Sequence, residues 1–155
     1  MGRMNFIAID PGFDGTGCVI IRDETLSSQC TIRCKSEDSM LSRFKYITDM
    51  IGQLLGAADI KIAVVEFPHN FSLVASQTDS LIKLAFLTGG IVNVCIRCQV
   101  DVSLRTPNQW KGQLSKRQTD ARVMNWIKRT KQKMPKCSQH ARDAMALAAS
   151  FIGEL

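Results

Sequence analysis

Two short apolar runs in this chain each end in a single acid. One is Phe6-Ile7-Ala8-Ile9-Asp10 and the other is Ile62-Ala63-Val64-Val65-Glu66. Runs of this length read as strands buried on both faces, the pattern of a parallel sheet covered by helices. A carboxylate at the end of such a strand is costly unless it is paired, hydrogen-bonded or bound to a metal. In open α/β sheets, ligand sites lie beyond the carboxyl ends of the strands. If the two strands pair in parallel, Asp10 and Glu66 sit side by side and their repulsion calls for a cation. Taken alone, each acid also fits a capped or salt-bridged carboxylate.

The rest of the chain builds around these two runs. Pro11-Gly12-Phe13-Asp14-Gly15-Thr16-Gly17 is a glycine-rich turn. Residues 18–22 and 25–35 read as a second and third strand of a meander. Residues 39–55 show helical spacing at Leu41, Phe44, Ile47, Met50, Ile51 and Leu54, and Gly56 can cap that helix. Residues 76–87 read as a helix stopped near Gly89-Gly90. Residues 94–104 contain a further strand, closed by Thr106-Pro107. Beyond Pro107 the pattern is helical: 120–131 turns Val123, Trp126 and Ile127 inward, and 138–152 is a last amphipathic helix. Early strands followed by strand–helix alternation predict an α/β domain with a mixed sheet. The 155 residues suit one domain, which at that size buries about 70% of its unfolded surface and needs no disulfides.

The last helix brings a third acid. His140, Asp143, Ala144, Leu147 and Phe151 follow 3/4 spacing and share one stripe. Leu147 and Phe151 should face the core, so His140 and Asp143 point inward near the helix start. Clustered carboxylates are hard oxygen ligands that suit Mg²⁺ or Mn²⁺. Two such ions can activate a water and stabilise the leaving oxygen of a phosphodiester.

Charge points to the same chemistry. Residues 1–100 hold 9 Lys+Arg and 10 Asp+Glu, whereas residues 101–155 hold 11 and 4. The whole net charge of +6 therefore lies in the last third. Such asymmetry suggests nucleic acid or an anionic membrane, and equally fits a solvated basic face. The longest apolar stretch, 81–96, contains Lys83 and Asn93 and reads as too short and too polar to span a bilayer. The pairs Cys30/Cys34 and Cys95/Cys98 invite a zinc reading. On a strand, residues four apart lie roughly 13 Å from each other, so one zinc cannot hold Cys30 and Cys34. Thiols in a reducing cytosol are the better reading.

Taken in order, these motifs resemble the RuvC family of Holliday-junction resolvases, within the RNase H-like nuclease fold. The matching segments are Ile7-Ala8-Ile9-Asp10-Pro11-Gly12 with Thr16-Gly17, Val64-Val65-Glu66, the Thr106 to Lys116 segment, and His140-Ala141-Arg142-Asp143-Ala144 with Ala146-Leu147-Ala148. The resemblance implies a five-stranded mixed sheet flanked by helices. It also implies a metal-dependent endonuclease that cuts opposed strands of a four-way junction, working as a homodimer. Carried over by position, Asp10, Glu66 and Asp143 become metal-ligating acids for Mg²⁺ or Mn²⁺, two ions per site. His140 becomes a further ligand or an acid/base. Lys111 and Lys116, with Arg117 beside them, become DNA contacts near the scissile phosphate. Phe67, His69 and Phe71 fall where the family carries an aromatic wedge. The compact spacing between the two lysines looks more like bacteriophage relatives, and the resemblance implies the cytoplasm of a bacterial or phage-infected cell.

Other readings remain in the sequence. The helix with Leu81, Leu84, Ala85 and Leu87 fits either a dimer face or plain core. The glycine-rich turn is similar to a phosphate loop of actin-like ATPases, but those need two such domains. A nuclease of this fold could instead take forks, flaps or RNA–DNA hybrids. A non-catalytic branched-DNA binder would gain nothing from three inward acids, because carboxylates near phosphates oppose binding.

Overall fold

The computed structural model describes residues 4–69 and 75–154, with side chains from 78 onward in the second segment. Ten elements follow in order: β1 (Asn5–Asp10), β2 (Thr16–Arg22), β3 (Thr25–Ile32), α1 (Met40–Ala57), β4 (Ile62–Glu66), α2 (Ala75–Arg97), β5 (Asp101–Arg105), α3 (Pro107–Lys111), α4 (Lys116–Arg129) and α5 (Gln139–Phe151). The five strands form one sheet in the order β3-β2-β1-β4-β5. The meander β1-β2-β3 is antiparallel, and β1, β4 and β5 run parallel. This is the mixed sheet expected from an early meander followed by strand–helix alternation, with the two apolar runs as its parallel central pair.

Alternation along β1 divides the core in two. Phe6 and Ala8 join a cluster with Trp126, Ile127, Met145 and Leu147 on the side of α4 and α5. Ile7 and Ile9 join Ile47, Ile51, Leu87 and Ile91 on the side of α1 and α2. A strand covered on both faces has no solvent side, which explains its unbroken apolar run.

Several boundaries differ from the sequence expectation, each for a local reason. β3 stops at Ile32 because β2 begins at its partner Thr16 and offers nothing beyond to pair with. Cys34 therefore lies past the strand; Cys30 sits opposite Cys18, and all six cysteines are free. α1 starts after Ser39, whose side chain caps it, but runs through Gly56 to Ala57. α4 begins at Lys116, because Ser115 and Gln118 form a reciprocal capping box.

The largest difference is α2, which continues through Gly89-Gly90 to Arg97. A Cβ on Gly90 would collide with the Phe44 ring of α1. That glycine is kept for a close helix–helix approach, not for a stop. The segment Thr78–Arg97 spans 20 residues at mean hydropathy 1.5. By length and composition it could cross a membrane, contrary to the expectation from 81–96. Here its inner face, Leu87, Ile91 and Cys95, is fully buried in the core beside the sheet.

The basic segment after α4 runs along the exposed edge of β3. Gln132 both accepts from the Leu26 N–H at 3.1 Å and donates to the Leu26 carbonyl at 2.6 Å. Thr31 and Ser138 hydroxyls meet at 2.5 Å. These contacts cover the strand edge and fix Ser138, whose side chain caps α5.

Candidate active site

The parallel pairing of β1 and β4 puts Ile9 beside Val65, so Asp10 and Glu66 leave the sheet as neighbours. α5 crosses β1 and β2 and brings His140 and Asp143 to the same end. This approach depends on the glycine-rich turn. A Cβ on Gly17 would overlap the His140 carbonyl, and one on Gly15 would lie 2.6 Å from His140 Cδ2. The Thr16 hydroxyl closes the turn by donating to the Gly12 carbonyl at 2.9 Å. The turn is therefore a seat for the start of α5, which its glycines alone did not reveal.

Asp10, Glu66 and Asp143 line one cavity of about 140 Å³ with Trp110, Lys111, Lys116, Thr119 and Asp120. His140 is not in that lining, though its Nδ1 lies 3.5 Å from Asp10 Oδ2. The Asp10 side chain is only 14% exposed. Burial, and then the charges of Glu66 and Asp143, push its carboxyl up to about 8, against the pull of Lys111 and Lys116. Burial also raises Glu66, opposed by a hydrogen bond from Trp110 and by Lys111. Gln139 Nε2 donates to Asp143 Oδ1 at 2.8 Å, and Lys116 Nζ lies 3.9 Å from the same oxygen.

Three carboxylates with an imidazole at the edge are a donor set for a hard divalent cation. Among the described residues no His, Cys, Asp or Glu trio is already gathered as a metal cage. All three acids line one cavity, and Lys111 and Lys116 supply part of the positive charge they call for. The residues present therefore fit a divalent ion held by Asp10, Glu66 and Asp143.

The DNA candidates are placed less tightly. Arg117 is exposed on the first turn of α4, outside the cavity lining. Phe67 and His69 are exposed just after β4. Phe71 lies outside the described residues. Three lining residues escaped the sequence reading: Trp110, Thr119 and Asp120. Trp110 and Thr119 are buried, and no local pattern in the sequence marks them or Asp120 as site residues.

A family model described as crossover junction endodeoxyribonuclease RuvC matches residues 6–151. Two solved structures share the fold. The Thermus thermophilus RuvC structure is 17% identical with a TM-score of 0.76, covering 95% of this chain and 92% of that one. T. thermophilus RuvC in complex with Holliday junction substrate is 18% identical with a TM-score of 0.78, covering 95% and 91%. A search of curated protein sequences finds no match. The mixed five-stranded sheet with helices on both faces is thus the RuvC variant of the RNase H-like fold. With nearly its whole length matched, the chain belongs to the RuvC family of crossover junction endodeoxyribonucleases.

Proposed function

We propose that this chain resolves four-way DNA junctions by paired, metal-dependent phosphodiester hydrolysis. One observation carries the reading: Asp10, Glu66 and Asp143 share a single cavity with Lys111 and Lys116. Family membership supports the reaction class, and the junction held by T. thermophilus RuvC supports the substrate.

Asp10, Glu66 and Asp143 would hold Mg²⁺, or Mn²⁺ in its place, as two ions per site. Such ions, when bound, activate a water and stabilise the leaving oxygen. The chain's own groups position the substrate. Lys111 and Lys116 hold the scissile phosphate and offset the charge of the acids. Arg117 takes a phosphate further along the same strand. His140, 3.5 Å from Asp10, adds a ligand or moves a proton at the edge of the site. Phe67 stacks on an opened base at the crossover with His69 beside it, and Phe71 belongs to the same wedge. Since phosphate contacts carry little sequence information, selectivity comes from the shape of the branched DNA.

Paired cutting needs two copies. The outer stripe of α2 supports a homodimer: Ile82, Phe86, Gly89, Asn93 and Ile96 recur at 4-3-4-3 spacing, opposite the buried Leu87, Ile91 and Cys95. Ile82 and Ile96 are each 62% exposed. A second copy of this helix, rather than lipid, is the proposed cover. The setting is the cytoplasm of a bacterial or phage-infected cell, where free thiols persist, and the compact form is that of a bacteriophage enzyme.

The test is a substrate panel. End-labelled junction, fork, linear duplex and RNA–DNA hybrid are incubated with the protein in Mg²⁺. Symmetric nicks in opposed strands of the junction are expected. Equal cutting of all branched and linear DNA, or cutting of the hybrid alone, would contradict the reading.

A further inference from the structure

Trp110 occupies the short helix α3 between β5 and α4. Thr106 starts that helix, with Gln109 Oε1 accepting the Thr106 N–H at 2.9 Å, and Gly112 ends it at φ +55°. The ring is buried in the core shared by α4 and α5. Its one polar atom is not directed to a backbone carbonyl. Trp110 Nε1–H donates to Glu66 Oε2 at 2.7 Å. The other face of the relationship is Lys111, whose Nζ lies 5.5 Å from the Trp110 ring centroid.

We propose that Trp110 is a positioning residue for the cation site, locking the Glu66 carboxylate through its indole N–H. This rests on the proposal that Glu66 holds a divalent ion. The physical reason is geometric. A carboxylate at a strand end rotates freely about its last bond, and a donor on one oxygen fixes the plane and leaves Oε1 directed to a cation. The indole takes Oε2, and Oε1 is the oxygen the proposal assigns to the cation. A donor behind a metal-binding carboxylate raises affinity by such pre-orientation, and its loss typically costs about 10–100-fold. Burial of the ring makes the donor rigid, because the indole cannot turn without opening the core.

The test separates the N–H from the bulk of the ring. Trp110→Phe keeps an aromatic ring in the core and removes the donor, and Glu66→Gln removes the carboxylate. Mn²⁺ affinity is measured by calorimetry without DNA, and junction binding is measured in EDTA. The expected result is about tenfold or greater weakening of Mn²⁺ binding in Trp110→Phe, with metal-free junction binding unchanged. Rescue of cutting at high Mn²⁺ is expected as well, since a positioning defect is overcome by mass action. Unchanged Mn²⁺ affinity in Trp110→Phe, with loss in Glu66→Gln, overturns the role of Trp110 alone. Full Mn²⁺ binding by Glu66→Gln overturns the cation reading and this proposal with it.

A second measurement needs no change at Trp110. The two tryptophan indole protons are resolved by ¹⁵N labelling of the wild-type protein. Trp126 Nε1–H donates to the Glu24 carbonyl and serves as the internal reference. Mg²⁺ and Glu66→Gln should each shift the Trp110 resonance while Trp126 stays. A Trp110 resonance unmoved by both overturns the proposal even if the Phe variant fails to fold.

Discussion

Gly17 of β2 lies directly against the backbone of His140, so close that a Cβ on this glycine would overlap the His140 carbonyl. The start of α5, and with it Asp143, is seated by a missing side chain. Gly17→Ala should force α5 off the sheet. The expected loss is about 1–3 kcal/mol of stability, with cutting reduced more than DNA binding. Thermal unfolding and single-turnover cleavage, run side by side, check this. Wild-type activity in Gly17→Ala would remove the seat from the account.

Asp10 gives the fold a pH dependence with a definite sign. Its carboxyl titrates near 8 in the metal-free fold, against 3.8 for an unperturbed aspartate. The folded state thus binds more protons than the unfolded chain between these values. Its stabilising proton is fully retained below 3.8 and lost as pH rises through about 8. Asp10→Asn abolishes this cost. The variant should gain on wild type progressively from pH 4 to pH 8 without metal, reaching about 5 °C or more in Tm. Mg²⁺ should stabilise the wild type most at the alkaline end, because only the ionised carboxyl binds a cation. A Tm difference that is flat with pH would contradict the burial argument.

Lys116 lines the acidic cavity, with Nζ 3.9 Å from Asp143 Oδ1. Lys116→Ala should weaken junction binding and lower the slope of log K against log salt by about 1. Under the proposed function, where the ammonium holds the scissile phosphate, cutting should fall further than binding. A salt series on both proteins measures the slope.

Much of the site was legible because its acids stand where apolar periodicity makes an acid expensive. Asp10 and Glu66 end runs that have no polar face, and Asp143 shares a stripe with Leu147 and Phe151. The mixed character of the sheet was legible from the early meander and the later strand–helix alternation, whereas the strand order β3-β2-β1-β4-β5 is seen only in the fold. What stayed hidden was set by tertiary approach. Gly90 looks like a helix stop and is a contact for Phe44. Trp110 and Thr119 are buried and also line the cavity. No local pattern records which buried N–H meets which carboxylate.

The α2 stripe makes a prediction about assembly. Ile82→Glu with Ile96→Glu places charge on the two most exposed apolar residues of this face, sparing Phe86, whose ring packs on Phe44 of α1, and Leu87, Ile91 and Cys95 in the core. Sedimentation should report a monomer where the wild type is a dimer, with Tm of the monomer little changed below the dimer's own concentration dependence. Coupled nicking of opposed strands should be lost. A wild type that sediments as a monomer at all concentrations would end the proposal of a shared α2 face.

Under the proposed function, Asp10, Glu66 and Asp143 are needed to cut junction DNA, and the lysines and arginines of the last third hold its phosphates. Asp10→Asn tests it most directly, with cleavage and binding of one labelled four-way junction measured in the same Mg²⁺ buffer. The account predicts paired nicks by the wild type, no nicks by the variant, and junction binding by the variant at least as tight. Cleavage by Asp10→Asn, or loss of binding together with cutting, would contradict it.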